Sequence, residues 1–229
     1  MKLKHISFVV SAALAIGFSV SASAASNHET ATVNQNDTAQ SATINQSNSS
    51  YDTVGINQAY YNNSASVAQS STTSNTVAIN QDGTQNAANV QTTFGGYNTT
   101  NIGQNGTTNS ANVTQYNDRH DSTSVAQSGT SNGADINQSN GAYNTASVNQ
   151  VGNNNTADLA QEAAYSSTAT VAQNGSGNYA NTYQNGSFET ASIGQNGSSN
   201  TAYTSQSGTG DRATVSQSGN SHYASITQH

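Results

Sequence analysis

The titratable side chains of this chain are few, and their spacing matches no catalytic motif. His120, His222 and His229 are far apart or terminal, and the sequence contains no cysteine and no G-x-S-x-G or H-E-x-x-H segment. The run Asp118-Arg119-His120-Asp121 lies among turn residues, where we expect a solvated loop. Calcium-binding nonapeptide repeats need G-G-x-G-x-D, which is absent. We therefore expect no enzyme activity, no metal site and no cofactor.

The side chains with regular spacing are the primary amides of glutamine, whose chemistry is hydrogen bonding. Seventeen of the twenty glutamines recur at the two spacings seen from Gln35 to Gln46 and from Gln46 to Gln58, and Thr92 fills the one vacant place. Identical amides stacked in register can each bond to the next, as in cross-β ladders. The predicted ladder and assembly glutamines are Gln35, Gln46, Gln58, Gln69, Gln81, Gln104, Gln115, Gln127, Gln138, Gln150, Gln161, Gln173, Gln184, Gln195, Gln206, Gln217 and Gln228.

Each glutamine closes a unit that reads N-x-A-x-Φ-x-Q, where Φ is Val, Ile, Leu or occasionally Thr. The unit Asn132-x-Ala134-x-Ile136-x-Gln138 is one example. Positions two apart point to the same face of a strand, so the pattern predicts a strand with one inward and one outward face. The predicted ladder asparagines are Asn63, Asn75, Asn86, Asn98, Asn109, Asn132, Asn144, Asn155, Asn178 and Asn200.

Two such strands make one period, which equals the separation of Gln35 and Gln58 and becomes one position shorter after Gln173. A face lined with Ala, Val and Ile must be covered, and the second strand of the same period is the obvious partner. We therefore predict an all-β flattened β-solenoid, or β-helix, of about nine two-stranded coils that becomes cross-β on assembly. Turns are expected at Asn105-Gly106, Ser128-Gly129, Asn174-Gly175, Asn185-Gly186, Asn196-Gly197, Ser207-Gly208 and Ser218-Gly219.

Composition excludes an ordinary globular core. Only 32% of residues are apolar and 7% are charged, and proline is absent, whereas typical domains are about 45–50% apolar and about 25% charged. Disordered linkers are usually enriched in proline and charge, so the remaining options are an aggregation-prone polar tract or a repeat protein with a thin core. The phase of the glutamines favours the repeat protein, because compositional bias alone does not enforce a register.

Residues 1–24 have the features of a secretory signal peptide. Lys2 and Lys4 precede the apolar run from Ile6 to Val20, and Ala22-Ser23-Ala24 resembles a cleavage site. We expect residues 25–28 to form a short N-terminal segment and residues 29–229 to form the repeat solenoid, with no atypical unit covering either open edge. After cleavage, two arginines remain against eleven acidic residues, a formal charge of −9. That charge excludes a basic footprint for nucleic acid.

The spacing Q-x4-N-x5-Q resembles the core of the curlin repeat of bacterial curli. It is present at Gln104-Asn109-Gln115, Gln127-Asn132-Gln138, Gln150-Asn155-Gln161, Gln173-Asn178-Gln184 and Gln195-Asn200-Gln206. The resemblance implies a secreted subunit of extracellular functional-amyloid fibres on the cell surface, a fimbrium that supports biofilm, adhesion and surface attachment. It also implies three kinds of partner, namely further copies of the chain, a nucleator curlin subunit, and an outer-membrane secretion channel with accessory chaperones. No small-molecule substrate is implied.

The sequence departs from the curlin pattern in two ways. No long Gly-rich segment of the kind that guides curlin secretion precedes the repeats, so the sequence does not show how export is directed. Other residues replace the inward Asn in several units, and we hypothesise that the scattered Asp residues moderate spontaneous aggregation. The replacements are Gln40, Asp52, Asp121, Ser167, Glu189, Asp211 and His222.

Three alternatives to the major fibre subunit remain open. The first is a minor nucleator subunit of the same family, although here the last repeat is intact rather than degraded and basic. The second is an ice-binding β-solenoid, which would need a regular outward Thr-x-Thr file. The third is a monomeric adhesin, for which no receptor module is evident. Eleven tyrosines lie mostly in turns or outward positions, where they suit either ordinary exposed strand residues or lateral contacts and dye binding.

Overall fold

The structure of the protein is a computed structural model that describes residues 6–13, 19–24 and 28–229. Every element in these residues is a β-strand. The strands are β1 Ile6–Ala13, β2 Ser19–Ala24, β3 Glu29–Asn36, β4 Ser41–Ser47, β5 Thr53–Ala59, β6 Ser64–Ser70, β7 Thr76–Thr84, β8 Ala87–Thr93, β9 Thr99–Thr107, β10 Ser110–Tyr116, β11 Ser122–Thr130, β12 Gly133–Ser139, β13 Thr145–Asn153, β14 Thr156–Glu162, β15 Thr168–Ser176, β16 Tyr179–Gln184, β17 Thr190–Ser198, β18 Thr201–Gln206, β19 Arg212–Asn220 and β20 Tyr223–Gln228.

The strands form two parallel sheets of ten, one from the odd-numbered and one from the even-numbered strands. Consecutive strands of a sheet pair so that equivalent positions of the repeat lie opposite each other, as in Gln127 opposite Gln150. Within residues 28–229 the repeats make nine coils, from coil 1 (β3 and β4) to coil 9 (β19 and β20). The predicted flattened β-solenoid of nine two-stranded coils is therefore confirmed.

Two strands lie in the segment that the sequence assigns to a signal peptide. β1 pairs with β3, and β2 pairs with β4, so the full-length chain carries them against coil 1. The rest of the predicted leader, residues 1–5 and 14–18, lies outside the described residues, as does most of the short segment 25–28. Cleavage after Ala24 stays a prediction, and it would leave β3 and β4 unpaired on that side.

Burial along the strands follows the predicted alternation. In β11, Thr123, Val125 and Gln127 are buried, whereas Ser124 and Ala126 are exposed. The Ala, Val, Ile and Leu side chains of both sheets form one hydrophobic cluster that runs from coil 1 to coil 9. The core is thin because each coil adds only a few small or β-branched side chains, which explains how a chain so poor in apolar residues can fold.

The predicted turns at most of the Asn-Gly and Ser-Gly pairs are wrong. Asn105-Gly106, Ser128-Gly129, Asn174-Gly175, Asn196-Gly197 and Ser218-Gly219 lie within β9, β11, β15, β17 and β19. Only Asn185-Gly186 and Ser207-Gly208 lie in connections, between β16 and β17 and between β18 and β19. The error arises because a glycine in a turn and a glycine in a bent strand share one sequence signature.

Each strand glycine bends the backbone while parallel pairing continues for at least one more residue. Gly106 and Gly129 have φ of +121° and +123°, a region that side-chain-bearing residues rarely adopt. A Cβ added at Gly129 would overlap the carbonyl oxygen of Gly152 in the next coil. The bend therefore needs glycine for two reasons, its backbone angle and the closeness of the neighbouring coil.

We predict that Gly129→Ala destabilises the solenoid by several kcal/mol, on the order of the largest single-residue effects, because the coil must shift to relieve the overlap. Gly133→Ala is the matched control, since a Cβ there meets nothing within 4 Å, and we expect its effect to be within about 1 kcal/mol. Urea unfolding followed by circular dichroism measures both. Equal midpoints for the two variants would contradict the proposed role of the bend.

Candidate assembly site in the amide ladders

The inward glutamines of the odd-numbered strands form one continuous hydrogen-bonded ladder. Each Nε2 donates to the Oε1 of the glutamine one coil further on, at 2.7–2.9 Å. From Gln58 onward, the second N–H donates to a backbone carbonyl at the start of the even-numbered strand of the preceding coil, as from Gln127 to Ser110 at 2.9 Å. The ladder residues are Gln35, Gln58, Gln81, Gln104, Gln127, Gln150, Gln173, Gln195 and Gln217.

The glutamines of the even-numbered strands form a second ladder, which is interrupted once. Gln46 donates to Gln69 at 3.0 Å, and the bonds resume from Gln115 to Gln228 at 2.8–3.0 Å. Thr92 occupies the intervening slot, and the Nε2 of Gln69 is buried there without a partner. The hydroxyl of Thr92 does bond to Oε1 of Gln115, at 3.3 Å. The residues of this ladder are Gln46, Gln69, Gln115, Gln138, Gln161, Gln184, Gln206 and Gln228.

Two threonines that the sequence reasoning missed reinforce the second ladder from the opposite sheet. Thr100 and Thr123 stand where other units have Ala or Val, and both are fully buried. Their hydroxyls donate to Oε1 of Gln115 at 3.2 Å and of Gln138 at 2.6 Å. The sequence does indicate both threonines, because each is a polar residue at a repeat position that is otherwise apolar.

The asparagines before the even-numbered strands support the glycine bends. Each Oδ1 accepts the backbone N–H of the equivalent residue one coil on, as Asn109 does from Asn132 at 3.1 Å. Each Nδ2 donates to the carbonyl of a bend glycine in the next coil, as Asn109 does to Gly129 at 3.1 Å. The asparagines with both contacts are Asn63, Asn86, Asn109, Asn132, Asn155, Asn178 and Asn200.

The equivalent file before the odd-numbered strands is mixed, and it contains all the acidic replacements. Asn75, Asn98 and Asn144 lie in this file, and each accepts the backbone N–H of the next coil at 2.8–3.0 Å. Gln40 and His222 belong to the other file instead. In order from coil 1 to coil 9 the file reads Glu29, Asp52, Asn75, Asn98, Asp121, Asn144, Ser167, Glu189 and Asp211.

These carboxyl groups are held away from water. Burial, followed by the charge of neighbouring Asp52, raises the pKa of Glu29 to about 7. Burial raises the pKa of Asp121 to about 6, and it also raises the pKa values of Asp52 and Glu189. Backbone N–H groups, from Asp52 toward Glu29 and from Gly208 toward Glu189, lower these pKa values again but do not outweigh burial. The protonated form is favoured because ionisation would place a charge in the poorly solvated interior.

The expectation that Asp118-Arg119-His120-Asp121 forms a solvated loop is wrong for its two aspartates. Asp118 and Asp121 point inward and are fully buried, whereas Arg119 and His120 are exposed. Asp118 accepts the backbone N–H groups of Tyr116 and Gly141 at 3.0 and 2.8 Å. Burial, together with the nearby Asp121, raises the pKa of Asp118 to about 7. Both carboxyl groups therefore belong to the interior of the solenoid rather than to a solvated surface.

No metal-binding constellation and no membrane-spanning helix occurs among the described residues. In particular, they contain no group of three or more His, Cys, Asp and Glu side chains that could hold a metal ion. None of these residues forms a helix long and apolar enough to cross a bilayer.

We predict that Thr92→Gln stabilises the protein by roughly 1–2 kcal/mol, because it gives the buried Nε2 of Gln69 an acceptor and completes the second ladder. Thr93→Gln, one residue further and on the outward face, is the control and should have little effect. Denaturant unfolding of both variants provides the comparison. A destabilised Thr92→Gln protein would show that the slot cannot accommodate a continuous ladder.

We also predict that stability decreases as the pH rises through the range 4 to 7. The folded carboxyl groups bind protons more tightly than the unfolded chain, so their contribution is fully present below the unfolded pKa and lost above the folded one. Asp121→Asn should leave stability at pH 4 nearly unchanged and raise it at pH 8 by up to about 3 kcal/mol, given a rise in pKa from 3.8 to about 6.

Asp135→Asn is the control for this pH dependence, because Asp135 is exposed on the outward face of β12. Urea midpoints at several pH values from 4 to 8 measure all three proteins. Equal slopes against pH for the wild type and Asp121→Asn would show that the buried carboxyl does not control this dependence.

Comparison with known proteins adds one family match. The curlin associated repeat matches residues 190–229, which comprise coils 8 and 9. No curated protein matches the chain. The matched coils share their slots and their hydrogen-bond register with the seven coils before them. This match supports the assignment of the chain to the curlin family.

Proposed function

We propose that the protein is a structural subunit of extracellular curli-like amyloid fibres and that it assembles by end-to-end β-stacking. The amide groups at the two ends of the repeat region are the observation that carries this proposal. In coil 1, Oε1 of Gln35 and Oε1 of Gln46 are buried without a partner. In coil 9, Gln217 and Gln228 each donate one hydrogen bond, to Thr201 and Arg212, and retain a second N–H.

These end groups are complementary. Every bond between two glutamines in both ladders runs from Nε2 in one coil to Oε1 in the following coil, always in the same direction along the solenoid. Once removal of residues 1–24 has uncovered β3 and β4, coil 9 of one copy therefore offers donors where coil 1 of the next copy offers acceptors. The stacking is head to tail, and such a contact does not close on itself, so it generates a filament.

The strands of coil 9 support the same mode of growth. Within the described residues, β19 pairs only with β17, and β20 pairs only with β18. The inward residues Ala224 and Ile226 are only partly buried, whereas the equivalent residues of inner coils are almost fully buried. An added coil would pair the free backbone groups and cover these side chains.

The biological setting of the proposal rests on the curlin resemblance. We propose that the chain is secreted after removal of residues 1–24 and forms fibres at the bacterial surface for biofilm, adhesion and attachment. A nucleator curlin subunit, an outer-membrane secretion channel and accessory chaperones are the proposed partners. The proposal assigns the chain to the major fibre subunit rather than the nucleator, because coil 9 has the same slots as the inner coils.

Proline at the free edge of coil 9 tests this mechanism. The carbonyls of Asp211 and His222 bond to the neighbouring strands β17 and β18. In a parallel sheet both backbone groups of a residue face the same neighbour, so alternate residues such as Ser216 and Ser225 face the free edge. The double variant Ser216→Pro/Ser225→Pro therefore removes two free donors and leaves the pairing within the chain intact.

We expect residues 25–229, diluted from denaturant, to form fibres with a diffraction spacing of about 4.8 Å. The proline variant should elongate wild-type seeds at least about tenfold more slowly, while Ser216→Ala/Ser225→Ala behaves as the wild type. Thioflavin fluorescence and electron microscopy follow the reaction. A wild-type chain that stays monomeric for days at high concentration would refute the proposal and favour an ice-binding protein or an adhesin. Unchanged elongation of the proline variant would refute stacking on coil 9.

A further inference from the structure

One exposed edge of the solenoid carries a file of residues that all adopt a left-handed backbone conformation. They lie in the connections between the even-numbered strands and the following odd-numbered strands, one per coil. Backbone hydrogen bonds between successive connections, such as Ser74 N–H to Ser50 and Tyr97 N–H to Thr73 at 2.8 and 2.9 Å, keep them in register. From coil 1 the file reads His28, Tyr51, Ser74, Tyr97, His120, Tyr143, Ser166, Phe188 and Gly210.

Aromatic members of this file stack face to face in two places. The ring centroids of His28 and Tyr51 are 4.8 Å apart with an interplanar angle of 9°. His120 stacks between Tyr97 and Tyr143, at 5.0 and 4.8 Å with angles of 10° and 3°. These distances are close to the rise of one coil and lie in the favourable range for aromatic pairs. We call this file the aromatic ladder.

Serine replaces the aromatic residue at two inner positions of the aromatic ladder, Ser74 and Ser166, and the residues next to these two gaps differ. At Ser166 the preceding residue is Tyr165, whose ring contacts both Tyr143 and Phe188, at 5.6 and 6.0 Å. That gap is therefore occupied by a neighbouring ring, which lies edge to face with both rings at interplanar angles of 74° and 80°. At Ser74 the preceding residue is Thr73, which has no ring.

The gap at Ser74 is bounded by two aromatic rings. Tyr51 stacks on His28 with one face, and Tyr97 stacks on His120 with one face, so each has its other face directed at the serine rung. Both rings are more than half exposed. Two coils separate them, a distance of about 9.6 Å. A flat ring at the serine rung would lie about 4.8 Å from each of its neighbours, the same spacing as in the occupied rungs.

We propose that this gap, the Ser74 slot, is a binding site for a planar aromatic molecule one ring thick, which completes the aromatic ladder between Tyr51 and Tyr97. Tyr165 shows that a gap of this kind accommodates one ring, since it lies in the equivalent gap in coil 7, edge to face with both neighbours. The slot lies within one chain, across coils 2 to 4, so its occupancy does not depend on fibre assembly. Monomers and fibres should both bind, at one molecule per chain.

Equilibrium dialysis with the neutral fused-ring probe 2-naphthol tests the site on residues 25–229. We expect saturable binding of one probe per chain. Ser74→Tyr restores the missing rung with a residue that already adopts this conformation at Tyr51 and Tyr97. It should weaken binding at least about tenfold, a difference of about 1.4 kcal/mol. Ser74→Ala keeps the slot open and should bind as the wild type.

A gain of binding provides the second half of the test. Tyr165→Thr recreates in coil 7 the Thr-Ser pair of coil 3, and it should open a second slot between Tyr143 and Phe188. We expect two probes per chain for this variant, with an unchanged far-ultraviolet circular dichroism spectrum. Wild-type affinity in Ser74→Tyr, or a single site in Tyr165→Thr, would overturn the proposal. Fibre growth is measured separately, so its failure would not affect this outcome.

Discussion

The requirement that a buried primary amide keep all its hydrogen bonds determines most of this structure. An unpaired buried amide costs on the order of several kcal/mol, and this core contains an amide in nearly every strand. The chain meets the requirement by translation, because the Nε2 of one glutamine donates to the Oε1 of the equivalent glutamine in the next coil at 2.7–3.0 Å, except at Gln69, where Thr92 interrupts the ladder. The strict phase of the repeat follows directly. A slip of one residue would place the glutamines on the solvent face and the outward serines and threonines in the core.

The two edges of each coil solve the same problem in different ways. At the short connections, glycine bends the strand, and an asparagine of the preceding coil donates to the glycine carbonyl, as Asn109 does to Gly129. The two residue types therefore form one unit that spans adjacent coils. At the longer connections, the equivalent file contains the buried carboxyl groups of Glu29, Asp52, Asp121 and Glu189. A carboxylate can accept the backbone N–H but cannot donate, so this edge is the one that responds to protons.

The sequence was sufficient to predict the strands, the inward face and the nine coils, because the alternation within each strand and the recurrence of whole coils are both visible in the positions of Gln and Ala. It did not reveal the glycine bends, since Asn-Gly and Ser-Gly pairs have the same appearance in a turn and in a bent strand. The burial of Asp118 was missed because charged residues are usually solvated. Thr100 and Thr123 were also missed, because their role depends on a glutamine of the opposite sheet. The aromatic ladder requires the register of the connections, which spacing in the sequence alone does not fix.

Hydrogen exchange of the glutamine side-chain amides, resolved by NMR on the folded chain, tests the ladder most directly. Gln127 and Gln91 are a suitable pair, because Gln127 is buried with both its N–H groups bonded and Gln91 is exposed on the outward face of β8. The ladder predicts slow exchange at the Nε2 of Gln127 and rapid exchange at that of Gln91. Equally rapid exchange at both would contradict the claim that stacked amides hold the solenoid together.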